Sequence, residues 1–513
     1  MNSSTPDRNT LTAAQAASRK STVRNVAWNY AGYASQLAIN IGLTSYIVRH
    51  LSVVEYGLFL FVMSLSATLY LLDMGISSVL VQAYVEAMVH HGSDRLNDLL
   101  STAFLALAAL GAFGVLIFCG IAAWLPGPFN IPQAYLHEAA TIFIIAALVI
   151  QVGLPSMAIE HVYQASHRFD RTNQIQLVIS TVLVILSVLV LAAGYGIVAL
   201  AVIQLVVALV KLLLLAAGLG GAVPGAHFSL ARFRGALLKP LVHLSKWAFL
   251  SNISAYLFDM LVWILLGSFG SMSEVALFGL ASKPPKQLWK LVDKGANVTL
   301  PLMSKSAAEN DVEQLRQTYL RTQKLTFGAV LPFIILGCLF ARPLIVVWAG
   351  QRYAEAALVM QWLLLGAFSQ AIAYASDLLL YSCGEVKKAA KISLWSGTAS
   401  VLAALALVSH YGAVGLAAGM AITQLILNGG WFTLAACRLA GVSLSALLRA
   451  MFQGLALPLT VLGTEVLVVS RFRVHLSAAW LVSFAIGGGL IYMALWGFRT
   501  ALPLYRNYTE VVA

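Results

Sequence analysis

Stretches of roughly 20 apolar residues, the length at which a helix can cross the hydrocarbon core of a bilayer, recur from Ala27 to Ile491 with only short polar breaks. No water-soluble core could take them in. Of the 513 residues 60% are hydrophobic and 10% are charged, with a mean hydropathy of +0.84, which is more apolar surface than a fold bathed in water can hide. The chain is therefore expected to be an all-α integral membrane protein of about fourteen spans. The hydropathy pattern places them near 24–48, 56–84, 99–124, 138–163, 174–194, 196–217, 241–268, 274–303, 325–347, 356–382, 388–409, 412–436, 450–470 and 475–497.

The net charge of +12 would fit a nucleic-acid partner if it were gathered on one soluble face, but it is not. Sorted by side, 22 of the 32 Lys and Arg residues fall on one alternating set of segments that includes the span ends, from Arg95 and Arg168 to Lys387 and Arg449. Five, among them Arg49, Arg342 and Arg352, fall on the opposite set, and five lysines lie inside spans. By the positive-inside rule both termini are expected in the cytoplasm. Residues 1–21 have no basic start, apolar run and small-residue cleavage site in sequence, so they are expected to form a polar cytoplasmic tail. Cys119, Cys338, Cys383 and Cys437 are spaced for neither zinc nor a disulfide framework. No metal and no cofactor is expected.

The chain also repeats itself. Trp28, Ser35, Glu55, Leu58 and Phe59 return as Trp247, Ser254, Glu274, Leu277 and Phe278, an offset of 219 (247 − 28). Leu71-x-Asp73-x-Gly75 with Leu80 returns as Leu291-x-Asp293-x-Gly295 with Leu300, and Tyr195-Gly196-x-Val198-x-Leu200-Ala201 as Tyr411-Gly412-x-Val414-x-Leu416-Ala417. An even number of spans separates equivalent helices, so the halves share one orientation and their pseudo-two-fold runs along the membrane normal. The expected division is a tail at 1–23, a six-helix bundle at 24–217, a second at 218–440, and two further helices with a tail at 441–513.

Fourteen spans arranged as six, six and two, opened by a helix that leads into Leu51-Ser52-x-x-Glu55-Tyr56-Gly57-Leu58-Phe59 and then toward Asp73-x-Gly75, resemble the polysaccharide flippases of the multidrug/oligosaccharidyl-lipid/polysaccharide exporter superfamily. The resemblance covers nearly the whole chain, on topology and scattered Gly, Tyr and Phe positions. It implies transfer of an undecaprenyl-diphosphate-linked oligosaccharide across a bacterial inner membrane by alternating access of the two bundles. A polysaccharide polymerase and a chain-length regulator are the implied protein partners, and no enzyme activity is implied. In keeping with that, the sequence has no Gly-x-x-x-x-Gly-Lys-Ser/Thr loop.

One stretch bears directly on cargo. Lys283, Lys286, Lys290 and Lys294 follow one another by three, four and four residues, which aligns them on one helical face over about 16 Å. Each would cost about 2.5–3.5 kcal/mol in lipid, so the face is expected to line water, where it suits a diphosphate. Lys290 and Lys294 could equally snorkel to headgroups, with Asp293 as a partner. Pro284-Pro285 removes two backbone donors, so a kink is expected there. Arg24 is a candidate first contact for diphosphate or a lipid anchor.

Asp259 lies near mid-membrane and Asp73, Asp293, Asp377 and Glu160 lie nearer the cytoplasm. These are candidates for proton or sodium coupling or for gating, with static ion pairs as the plain alternative. Competing functions are a multidrug exporter, which the lysines oppose, and a lipid II exporter, which also moves a polyprenyl diphosphate. A membrane polymerase or ligase would need a large basic periplasmic loop, and 126–137 has no Lys or Arg.

Overall fold

The computed structural model describes residues 39–73, 75–124, 128–296, 299–453, 455–472 and 478–496. Arg24, Trp28 and Ser35 lie outside these. Asp259 and Lys294 have described backbone only. All regular structure among the described residues is helical, and nine of its helices are long and apolar enough to cross a membrane. One of the nine, running over Val386–Leu439, is not continuous. Gly412 sits at φ 54° and ψ −135°, a left-handed conformation that breaks the ladder and that glycine adopts without steric cost. The break separates the two spans expected at 388–409 and 412–436.

The spans expected at 56–84 and 274–303 are each segmented, the second beside the Pro284-Pro285 pair where a kink is expected. In the first, the helix Val53–Ala67 tightens into a 3-10 turn over Thr68–Asp73, and a second helix begins at Ile76. The Asp73 carboxylate accepts from Gly75 N–H at 2.5 Å while Gly75 takes φ 75°, so the short side chain replaces a helical bond and turns the chain. In the second, Met272–Ala281 gives way at Ser282 to Lys283–Ala296, followed by Leu300–Ala308. Pro284 and Pro285 fall in the first turn of their helix, where a missing N–H leaves no bond unmade.

Two compact units account for the chain, each assembled from separated segments. The first comprises Met1–His50, Leu72–Phe118 and Ile144–Phe249, and the second Leu51–Leu71, Cys119–Phe143 and Leu250–Ala513. In the first unit the segment after Val223 is stitched along the start of the helix Gly92–Trp124. Asn97 exchanges bonds with Gly225 and His227, Ser101 and Thr102 accept from Ser229 and Arg234, and Arg232 and Arg234 pair with Asp94 and Asp98.

In the second unit the duplication becomes visible as geometry. Val53–Ala67 and Met272–Ala281 begin with the same capping box. Ser52 accepts from Glu55 N–H while the Glu55 carboxylate accepts in return from Ser52 N–H, and Ser271 and Glu274 do likewise. Each box satisfies two of the donors that a helix start leaves open. The two helices pack on each other through equivalent residues. A Cβ at Gly57 would overlap the Met272 carbonyl and crowd Ala276 N, and one at Gly279 would overlap Leu60. Both Gly57 with Ala276 and Leu60 with Gly279 are 219 apart, so residues meet their own counterparts at successive levels. Only a parallel pair about a shared two-fold axis does that.

Candidate functional site

The lysine row lies beside this helix pair, in the second unit. Lys283, at the start of its helix, is half-buried, and its ammonium stands 6.0 Å from the centroid of the Tyr56 ring. Lys286 is exposed and stands 5.8 Å from the Trp263 ring. Aromatic faces attract cations through the ring quadrupole, and more strongly where water is scarce. Lys290 is exposed on the same face, and Lys294 contributes no described side chain.

The lysine helix also packs on Ala356–Ser382. Tyr374 donates its hydroxyl to Asp293 at 2.5 Å and lies edge-on to Trp289 at 5.0 Å. A charge-assisted bond of this kind is roughly twice as strong as a neutral one. Asp293 is thus engaged by a tyrosine. One turn along, Asp377 has an oxygen, Oδ1, that is buried and has no hydrogen-bond partner among the described residues. Behind it Tyr319 bonds Ser376 at 2.9 Å, and Gln323 donates to Ser376 at 3.1 Å and to the Ile372 carbonyl at 2.8 Å.

The remaining candidates are dispersed. Asp73 serves its own turn through Gly75. Glu160, in the first unit, forms an ion pair with Lys211 at 2.7 Å. The structure therefore brings Lys283, Lys286, Lys290, Asp293 and Asp377 into one region of the second unit, and leaves Asp73 and Glu160 with local partners.

Four contributors were not singled out from the sequence: Tyr56, Trp263, Tyr374 and Lys211. Tyr56 was noted only as part of a turn, and Tyr374 carried the one available signal, standing three residues before Asp377 and thus on its helical face.

A family model described as polysaccharide biosynthesis protein matches residues 46–358. The chain belongs to that family. Among its relatives is a Shigella flexneri protein provisionally named an O-antigen transporter, 23% identical over 418 residues, with 79% of this chain and 96% of the relative covered. The uncharacterized membrane protein EpsK of Bacillus subtilis is 22% identical, over 81% of this chain and 83% of its own. Solved structures with the same fold include an inward-facing multidrug-resistance MATE transporter of the MOP superfamily (TM-score 0.65, 15% identity, 80% of this chain and 95% of that one). The lipid II flippase MurJ in an inward closed conformation matches with TM-score 0.65 and 14% identity, over 93% and 99% of the chains. The polysaccharide biosynthesis protein described here is accordingly a multi-pass membrane protein with the helical fold of MOP-superfamily transporters.

Proposed function

We propose that this chain is a flippase that carries a polyprenyl-diphosphate-linked oligosaccharide between the leaflets of a bacterial inner membrane by alternating access, for surface polysaccharide assembly. The observation that carries the reading is the lysine row, three described ammonium groups on one helical face. Two of them are held over aromatic rings at 6.0 and 5.8 Å, in a chain of the polysaccharide biosynthesis family. Diphosphate is the anionic feature common to such lipid-linked sugars, and lysine meets phosphate as a mobile point charge. Cationic drugs would be repelled from the same face.

In this reading Lys283, Lys286 and Lys290 hold the diphosphate, and Arg24 is the first contact at the cytoplasmic entrance. The termini face the cytoplasm, the halves 24–217 and 218–440 are the moving bundles, and 441–513 is an appendage. The chain works as a transporter and not as an enzyme, beside a polymerase and a chain-length regulator. Of the carboxylates, Asp377 is the best suited to take up a proton or sodium ion, because Asp73, Asp293 and Glu160 are already engaged and Asp377 keeps an oxygen without a described partner. Asp259 remains a second candidate on its position alone.

The test is complementation. Lys283→Ala and Lys286→Ala, introduced into a strain lacking the chromosomal copy, are expected to leave membrane insertion intact and to abolish surface polysaccharide. Full restoration by both variants would make the row structural and end the reading.

A further inference from the structure

A turn that ends one membrane helix and opens the next is built in the same way in both halves, 217 residues apart. In the first, Ser166, His167 and Arg168 donate their backbone N–H groups to the carbonyls of Val162, Gln164 and Tyr163. In the second, Cys383, Gly384 and Glu385 donate theirs to Leu379, Tyr381 and Leu380. The middle residue of each turn is left-handed, at φ 56° in His167 and 76° in Gly384. The helices Phe169–Ala192 and Val386–Thr423 then begin at equivalent positions. With the backbone shared, the two turns differ in the side chains that follow them.

Asp170, Arg171, Gln174 and Val178 of the first half correspond to Lys387, Lys388, Lys391 and Trp395 of the second. The first set is closed on itself, since Arg168 pairs with Asp170 at 3.3 Å and Arg171 donates to Gln174 at 3.5 Å. In the second set all three lysines are exposed. Among the described residues no ion pair reaches them, not even from Glu385 at the start of their helix. That helix turns Ala389, Ile392, Ser396 and Ser400 inward, none more than 6% exposed, and presents Leu394, Trp395 and Leu402 outward at 52, 62 and 60%. Lys388, Lys391, Trp395 and Leu402 follow one another at helical spacing, so the lysines head the outward stripe. On a helix that crosses a membrane, a stripe this apolar meets lipid. Tryptophan favours the headgroup level, and Lys391 and Lys388 stand about 6 and 10 Å from Trp395 along the axis.

We infer that Lys387, Lys388 and Lys391 bind the headgroup of an anionic phospholipid of the cytoplasmic leaflet, with Leu394 and Trp395 against its glycerol and upper acyl chains. Three uncancelled ammonium groups within little more than one turn complement a phosphate. The positive-inside rule puts them on the side where anionic lipid is met. An acidic protein would use the lysines and leave Trp395 idle, and an oligosaccharide would find no enclosing walls on an open stripe. A phospholipid uses both the charged end and the apolar run below it. The first half, with Asp170 in place of Lys387 and Val178 in place of Trp395, lacks such a site.

The full chain, purified in neutral detergent, is titrated with dioleoylphosphatidylglycerol or dioleoylphosphatidylcholine, and bound lipid is counted by native mass spectrometry. The glycerol lipid is expected to bind more tightly. Lys391→Gln should weaken it about fivefold, and Lys387→Gln, Lys388→Gln and Lys391→Gln together about a hundredfold. The same three positions changed to arginine should keep the affinity, and Arg171→Gln should leave it unchanged. Wild-type affinity in the triple glutamine variant, or an equal loss in Arg171→Gln, overturns the site. Displacement of the lipid by an equimolar polyprenyl diphosphate would give the site to a carrier lipid, and displacement by poly-glutamate at equal charge would make it a general anion patch; either also overturns it. Should the triple variant not remain monodisperse, Lys391→Gln decides alone. Lipid binding is read here without transport, so failure of the flippase reading leaves the result standing.

Discussion

Val53–Ala67 and Met272–Ala281 share a sequence repeat, a capping box and a common axis, but the segments that succeed them differ. After the first, residues 61–72 carry no charged side chain; after the second come Lys283, Lys286 and Lys290. At the 219-residue offset Lys283 and Lys286 correspond to Ser64 and Ala67. The repeat makes a symmetric scaffold, and the charge sits on one arm of it. The symmetric parts of this molecule hold the halves together, and the asymmetric parts are where a ligand would be distinguished from lipid.

The largest expected effect tests the shared axis. Gly57 and Ala276 are counterparts in contact, yet a Cβ at Gly57 would overlap the Met272 carbonyl, whereas Ala276 already carries one. Gly57→Ala should therefore cost on the order of 3 kcal/mol, since backbone cannot move aside as a flexible side chain can. Ala276→Gly should cost about 1 kcal/mol, mostly through helix propensity. Thermal unfolding in detergent reads both. Equal losses at the two positions would show that the pair is looser than its geometry.

Next in size is the charge asymmetry. Lys283→Ala should lower transport by about 10- to 150-fold, the loss of one charge-assisted bond to phosphate. Adding Ser64→Lys to that variant restores the charge on the opposite arm. Because the aromatic support of Tyr56 belongs to Lys283, the transplanted lysine should not rescue export in the complementation assay. Rescue would mean that only net charge in this region matters.

How far the sequence spoke depended on the physics involved. The helical membrane fold was legible because lipid imposes long apolar runs, and the repeat because Trp, Glu and Asp are rare inside such runs. The break at Thr68–Gly75 was harder to see, since hydropathy reports which solvent a residue meets and not whether its helix is continuous, whereas Pro284-Pro285 marked the one beside Ser282. The ammonium row was visible from spacing alone. Its aromatic partners were not, because Tyr56 and Trp263 come from elements distant in the chain. The same is true of Glu160 with Lys211, where only packing of two helices reveals that the carboxylate is matched.

A smaller contrast separates the two capping boxes. Glu274 accepts from Ser271 N–H at 2.8 Å and also from Ala413 N–H at 3.3 Å, just past the Gly412 break. It thus serves two helix starts, whereas the described capping bond of Glu55 is to Ser52 N–H at 2.7 Å. Glu274→Ala is expected to cost about 2 kcal/mol and Glu55→Ala about 1 kcal/mol, from two lost caps against one. Thermal melts of the two variants side by side would show it, and a reversed order would place the stronger constraint in the first half.

Smallest of all should be the difference between Ser52→Ala and Ser271→Ala. Each hydroxyl accepts from the N–H three residues on, at 3.1 and 3.3 Å, and each substitution should cost about 1 kcal/mol. Near-equality is the informative outcome here. The Glu274 bond to Ala413 does not pass through the Ser271 hydroxyl, so the extra role of that carboxylate should survive the loss of the serine. If Ser271→Ala instead proved as damaging as Glu274→Ala, serine and glutamate would be acting as one unit in the second half, and the asymmetry between the boxes would begin at the cap itself.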